Sequence, residues 1–159
     1  MNIFVLDEDI ERCAQYHCDR HVVKMILESA QILCSALFKK GFEVPYKPTH
    51  ANHPSILWAE KSYANFKWLS SLALALNEEY RFRFNNKRDH RSAEVVRAVQ
   101  GYAYHDIGLT EFAQTMPEQY RLPGDAVSAY RAFYIAEKAS FATWTRRPVP
   151  GWFSLSLSS

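Results

Sequence analysis

ERCAQYHCDRHVVKMILESAQILCSAL, residues 11–37, is the stretch on which the fold turns. Good helix formers dominate it, and Ala14, Cys18, Val22, Met25, Ile26, Ser29, Ile32 and Leu33 recur at spacings of three and four, the period of an apolar helix face. It reads as one long helix. Lys39-Lys40-Gly41 then supplies a basic last turn and a glycine stop. Pro54 suits a first helical position, with His53 or Ser55 as cap, and opens a second long helix to about Phe84, striped by Leu57, Phe66, Leu69, Leu72 and Leu76 with Trp58 and Trp68 thickening the face. Shorter helices are expected over residues 92–103 and, capped by Asp125, over residues 125–143, while Pro117 leaves at most one turn before it. Residues 3–6 are a short strand or an extended arm, residues 144–153 irregular, and residues 154–159 a frayed tail. The expected fold is all-α: a single-domain helical bundle over residues 1–153 with two long antiparallel helices, a shorter C-terminal helix and long connecting loops.

Composition agrees with one core. A chain of 159 residues with 48% apolar and 23% charged residues lies far from the disordered class. The net charge of +2 is too mild to declare a nucleic-acid binder, but it is unevenly distributed. Residues 1–60 carry six Lys/Arg against eight Asp/Glu and residues 61–159 carry thirteen against nine, so an anionic partner is expected on the second half. Cys13, Cys18 and Cys34 form no C-x-x-C pair, which predicts reduced thiols. Asp7-Glu8-Asp9 interrupts the apolar N-terminus, and no run approaches 18 apolar residues, so a soluble cytoplasmic chain without a membrane segment is expected. No phosphate-binding glycine loop, dinucleotide fingerprint or G-x-S-x-G elbow occurs, and no cofactor is assigned.

Four groups of residues could carry chemistry. On one continuous helix His17, His21, Lys24 and Glu28 would share a face, either as a solvated stripe or as a cleft wall. In the cleft reading Lys24 and Glu28 set each other's charge, His21 transfers protons near neutral pH, and Asp19 lies alongside. The loop Thr49-His50-Ala51-Asn52-His53-Pro54 adds two imidazoles. With His17 and His21 they permit a metal without requiring one, and none is assigned; His53 as a helix cap with His50 as a buried hydrogen-bonded residue, or substrate binding through phosphate or base recognition at this helix N-terminus, are the other readings. Beyond a basic turn holding Arg81 and His90, Gln114 and Glu118 could read a base edge or satisfy backbone near Pro117. Finally Tyr130, Arg131, Tyr134, Lys138, Trp144, Arg146 and Arg147 have the composition of a stacking platform beside a phosphate groove, or of an aromatic core.

The N-terminus Met1-x-Ile3-Phe4-x-Leu6, the run Glu28-Ser29-Ala30-Gln31-Ile32-Leu33, and His53-Pro54 followed by Asn65, Trp68-Leu69, Leu76 and Glu79-Tyr80-Arg81 resemble the pyrimidine-dimer DNA glycosylases of the endonuclease V type over about the first 85 residues. Cys18-Asp19-Arg20-His21-Val22-Val23-Lys24-Met25, Pro48-Thr49-His50 and Phe112-Ala113-Gln114-x-Met116-Pro117 also resemble a family of small bacteriophage proteins mostly without assigned function. The glycosylase resemblance implies an all-α fold and attack on sugar C1′ by the chain's own α-amino group, assisted by a carboxylate on the first helix. Amines of this class titrate near pH 7.7–8.0, so a useful fraction is nucleophilic at neutral pH. Asn2 is too bulky for ready removal of the initiator, which makes Met1 the source of the amine, with Asp19, His21 or Glu28 as its partner.

A DNA- or nucleotide-acting protein is therefore expected, most concretely a metal-independent DNA N-glycosylase and lyase for damaged or modified pyrimidines. Non-catalytic nucleotide binding and base-modifying group transfer are the alternatives, and the oligomeric state stays open.

Overall fold

The helix read across residues 11–37 is two helices. In a computed structural model that describes residues 1–157, α1 spans Ile10–Tyr16 and α2 spans Asp19–Lys39. His17 and Cys18 between them are extended, with ψ of 133° and 162°. The carbonyls left unpaired at the end of α1 are collected by Arg83, whose guanidinium donates to Gln15 O at 2.8 Å and His17 O at 2.7 Å. Asp19 N–H, orphaned at the start of α2, donates to Thr143 O at 2.8 Å. The break thus depends on residues more than sixty positions away.

The second long helix divides in the same way. α3 covers Pro54–Lys61 and α4 covers Tyr63–Phe84. Ser62 at the joint is extended (φ −153°, ψ 139°), and its hydroxyl donates to Asp106 Oδ1 at 3.0 Å. Tyr63 N–H donates to His105 O at 2.9 Å, so the loop beyond α5 replaces the missing helical bonds. Next come α5 (Arg91–Val99), a 3-10 turn (Glu118–Tyr120), α6 (Ala126–Glu137) and α7 (Gly151–Leu157). Both α5 and α6 stop short of their expected ends, and α7 lies where irregular chain and a frayed tail were expected. Residues 158 and 159 of that tail are outside the described residues.

Expected punctuation is otherwise present. Pro54 opens α3 with His53 as cap, Asp125 caps α6 through Ser128 N–H, and Gly41 (φ 89°) follows α2 in the left-handed conformation. His53 and His90 use one device: each ring Nδ1 accepts from the serine N–H two residues on, at 3.1 Å.

α2 and α4 are antiparallel, since Arg83 near the end of α4 meets Asp19 at the start of α2, while Lys39 at the end of α2 meets Glu60 just before α4. Val22, Ile26, Leu33 and Leu37 of α2 pack with Phe66, Leu69, Leu72 and Leu76 of α4 in one buried core. Among the described residues no strand forms; residues 3–6 are an extended, buried arm. The Phe4 ring stacks on His21 of α2 at 4.4 Å and meets Tyr130, Phe133 and Tyr134 of α6. The arm is thereby clamped between these two helices. α2 is long and apolar enough to cross a membrane, but 72% of its most apolar window is buried inside this fold.

Candidate active site

The clamped arm delivers the N-terminus to α2. The Met1 α-amine lies 3.3 Å from Glu28 Oε1, and the same oxygen accepts Asn2 N–H at 3.1 Å. Lys24, one turn earlier, places Nζ 3.5 Å from Glu28 Oε2. Asn2 fixes the register: Tyr130 OH donates to its Oδ1 at 2.9 Å and its Nδ2 donates to Thr115 O at 2.9 Å. The backbone of Asn2 and Thr115 and the side chains of Asn2 and Tyr130 therefore hold the amine against a carboxylate that is itself nearly buried.

An open cleft of about 460 Å³ lies over this pair, lined by Met1, Lys24, Glu28, Gln31, Thr49, His50 and His53. His53 Nδ1 accepts from Ser55 N–H, which leaves the proton on Nε2, and the ring hydrogen-bonds the Met1 backbone. Burial lowers the His53 pKa, and the positive N-terminus beside it acts in the same direction. His53 is accordingly a neutral donor that braces Met1. His50 has a left-handed backbone (φ 46°), a conformation that costs a residue with a side chain about 1 kcal/mol or more.

Five residues expected from sequence thus come together: Met1, Lys24, Glu28, His50 and His53. Gln31 and Thr49 were missed as site residues, although Gln31 continues the Lys24–Glu28 row by one helical turn. The break at His17 and Cys18 corrects the reading of a single polar stripe. His17 caps α1 inside the core, with Nδ1 2.7 Å from Cys13 O, and burial lowers its pKa to about 4. His21 is buried between Phe4 and Tyr134, 2.6 Å from the phenol oxygen, and burial foremost lowers its pKa to about 3, so it carries no proton traffic near neutrality. Asp19 is not the carboxylate beside the amine. Its oxygens accept from Arg83, Thr143 and Thr145, and these bonds outweigh burial to hold its carboxyl below the usual range.

The aromatic and basic residues of the second half stand elsewhere. Tyr130, Tyr134 and Trp144 are buried, which removes them as a surface stacking platform; Trp144 Nε1 donates to Tyr16 O at 2.9 Å. Arg131 binds Leu6 O and Asp7, Arg147 clamps Glu79 with two bonds of 3.0 and 2.7 Å, and Arg146 donates to Phe82 O. Lys138 lies over the Phe133 ring. Gln114 is paired with Leu122 backbone in both directions, Glu118 with Arg121, Arg81 with Asp89, and His90 caps α5. None of these lines the Met1 cleft. No group of three or more His, Cys, Asp or Glu fit to hold a metal occurs among the described residues.

An all-α fold that presents a primary amine to a helix-borne carboxylate in an open cleft defines a protein equipped for covalent amine chemistry: such an amine can add to an electrophilic carbon, with the carboxylate to take its proton or steady a developing cation. The chain belongs to the pyrimidine dimer DNA glycosylase family, whose profile matches residues 1–92. That match spans more than half of the chain and contains every residue of the Met1 cleft. No curated protein and no solved structure matches the chain significantly.

Proposed function

We propose that the protein is a DNA N-glycosylase with lyase activity toward damaged pyrimidines, with the Met1 α-amine as nucleophile and Glu28 as its carboxylate partner. The observation that carries this reading is the 3.3 Å approach of Met1 N to Glu28 Oε1 inside a cleft, in a chain of this family. The neutral amine attacks C1′, and the bond from C1′ to the base breaks as the new N–C1′ bond forms. The base leaves with the electron pair and takes a proton from solvent. Glu28 accepts a proton from the amine, O4′ departs from C1′ and is protonated, and an iminium remains. Loss of a C2′ proton then expels the 3′ phosphate, and water releases the sugar from Met1. Glu28 faces each cationic species along this path, where a fixed carboxylate stabilises developing charge. Lys24 and Arg20, exposed on the same helix, suit an approaching phosphate backbone.

Duplex DNA carrying a thymine dimer tests the reading. Strand cleavage at the dimer, lost in Glu28→Gln, is expected; intact DNA at high protein concentration would overturn it.

A further inference from the structure

The cleft over Met1 has two walls. Lys24, Glu28 and Gln31 of α2 form one, and Thr49, His50 and His53 of the loop before α3 form the other. Glu28 meets the amine on the first wall, so the base that the amine displaces from C1′ departs toward the second. A departing base carries away an electron pair and needs a proton, and a group that delivers the proton as the bond breaks speeds the step. That donor belongs on the loop wall.

Most of the cleft is already committed. Glu28 accepts from Met1 N and from Asn2 N–H, and Lys24 Nζ stands 3.5 Å from its second oxygen. His53 Nδ1 accepts from Ser55 N–H while the ring hydrogen-bonds the Met1 backbone. Gln31 is an amide and Thr49 an alcohol, and neither type of group gives up a proton near neutrality. His50 remains. Its ring is exposed and holds no hydrogen bond or ion pair among the described residues. It is nevertheless close enough to act on His53, whose pKa is lowered first by burial and then by the N-terminus and His50.

The backbone at His50 singles it out further. Its φ of 46° is left-handed, a conformation that glycine takes freely and that a residue with a Cβ takes at a cost. Three bonds pin it there: Thr49 N–H donates to Ser35 Oγ at 3.0 Å, Lys39 Nζ donates to Ala51 O at 2.8 Å, and His53 N–H donates to His50 O at 2.8 Å. An imidazole without an internal partner, held in strained backbone on the wall of a cleft that contains a nucleophile, is a group presented to a ligand. We propose that His50 is a catalytic residue of the base-release step: as the bond from C1′ to the base breaks and its electron pair passes to the base, His50 gives its proton to that base. Open to solvent, the ring then takes another proton from water. This rests on the glycosylase reading and deepens it by assigning the proton that leaves with the base. Cleavage at an abasic site has no base to release and does not use this proton.

Duplex DNA carrying a thymine dimer, and the same duplex carrying an abasic site, separate the two steps. In His50→Gly the left-handed backbone is kept without strain, so the loop holds and Tm should not fall. His50→Asn also tolerates this conformation and keeps a hydrogen-bonding group that cannot transfer a proton. Both variants are expected to cleave dimer DNA about 100-fold more slowly, while borohydride trapping on abasic DNA falls less than about tenfold. Free imidazole should restore part of the His50→Gly loss. An equal loss in both reactions, dimer cleavage undiminished in His50→Asn, or a His50→Gly defect that imidazole leaves unchanged overturns the assignment of His50 alone. A wild-type protein that leaves dimer DNA intact fails the glycosylase reading itself, and the assignment goes with it.

Discussion

Tyr130 OH donates to Asn2 Oδ1 at 2.9 Å, joining residues 128 positions apart. Its oxygen also accepts Thr115 N–H at 3.1 Å, and Asn2 Nδ2 binds Thr115 O, so the N-terminal arm, α6 and the loop before the 3-10 turn close on one point. The second half of the chain, outside the family match, thereby holds the terminus of the first half in place.

Tyr130→Phe tests that tether. The half-buried Asn2 and Thr115 groups lose a partner, which should lower stability by about 1 kcal/mol in urea unfolding. With the arm less constrained, imine formation on abasic DNA should slow while DNA affinity holds. Unchanged trapping kinetics would show that Asn2 needs no anchor.

Glu28→Gln keeps the shape of the cleft and removes its negative charge. Trapping rate should drop on the order of 100-fold, the scale of a positioned proton acceptor, with binding of an abasic analogue unchanged. A rate within a few-fold of wild type would exclude Glu28 as the partner of the amine.

Arg83 is fully buried and binds Glu79, Asp19 and two carbonyls at the end of α1. Arg83→Met strands those groups, and a loss of about 3–5 kcal/mol is expected, about 10 °C or more in Tm for a chain of this size. A small change would mean that the break between α1 and α2 is set locally.

That break also marks the limit of what was legible in the sequence. Helix content, the stop at Gly41, the start at Pro54, and the Lys24–Glu28 pair could be read because periodicity and caps are local signals. The extended step at His17 and Cys18 could not, since its cause is Arg83, and a serine such as Ser62 gives no warning that a helix ends there. His17, Tyr134 and Arg147 carry the right chemistry, yet burial and internal pairing absorb them. His50 and His53 were recognisable as residue types, but their place over Met1 follows from the path of a buried arm that no spacing encodes.

Stability should decline below neutral pH for a defined reason. His17 and His21 have folded pKa values near 4 and 3, lowered chiefly by burial, against about 6.5 when unfolded. The unfolded chain therefore binds more protons below pH 6.5, so stability is complete above that pH and falls as pH drops toward 4. His53 and His90 are shifted in the same direction. Between pH 6.5 and 5 the lowered carboxyls of Asp19 and Glu79 stay ionised, which isolates the histidines. Urea unfolding should lose roughly 1–2 kcal/mol per pH unit there, and less in His17→Asn. A flat profile would mean that the two rings protonate in place.

Where the covalent bond forms tests the central claim most directly. The protein is incubated with abasic DNA, reduced with sodium borohydride and digested, and the modified peptide is located by mass spectrometry. The account predicts one adduct, on the α-nitrogen of Met1, absent after reductive methylation of the terminus. An adduct on Lys24, or none on any residue, would contradict it.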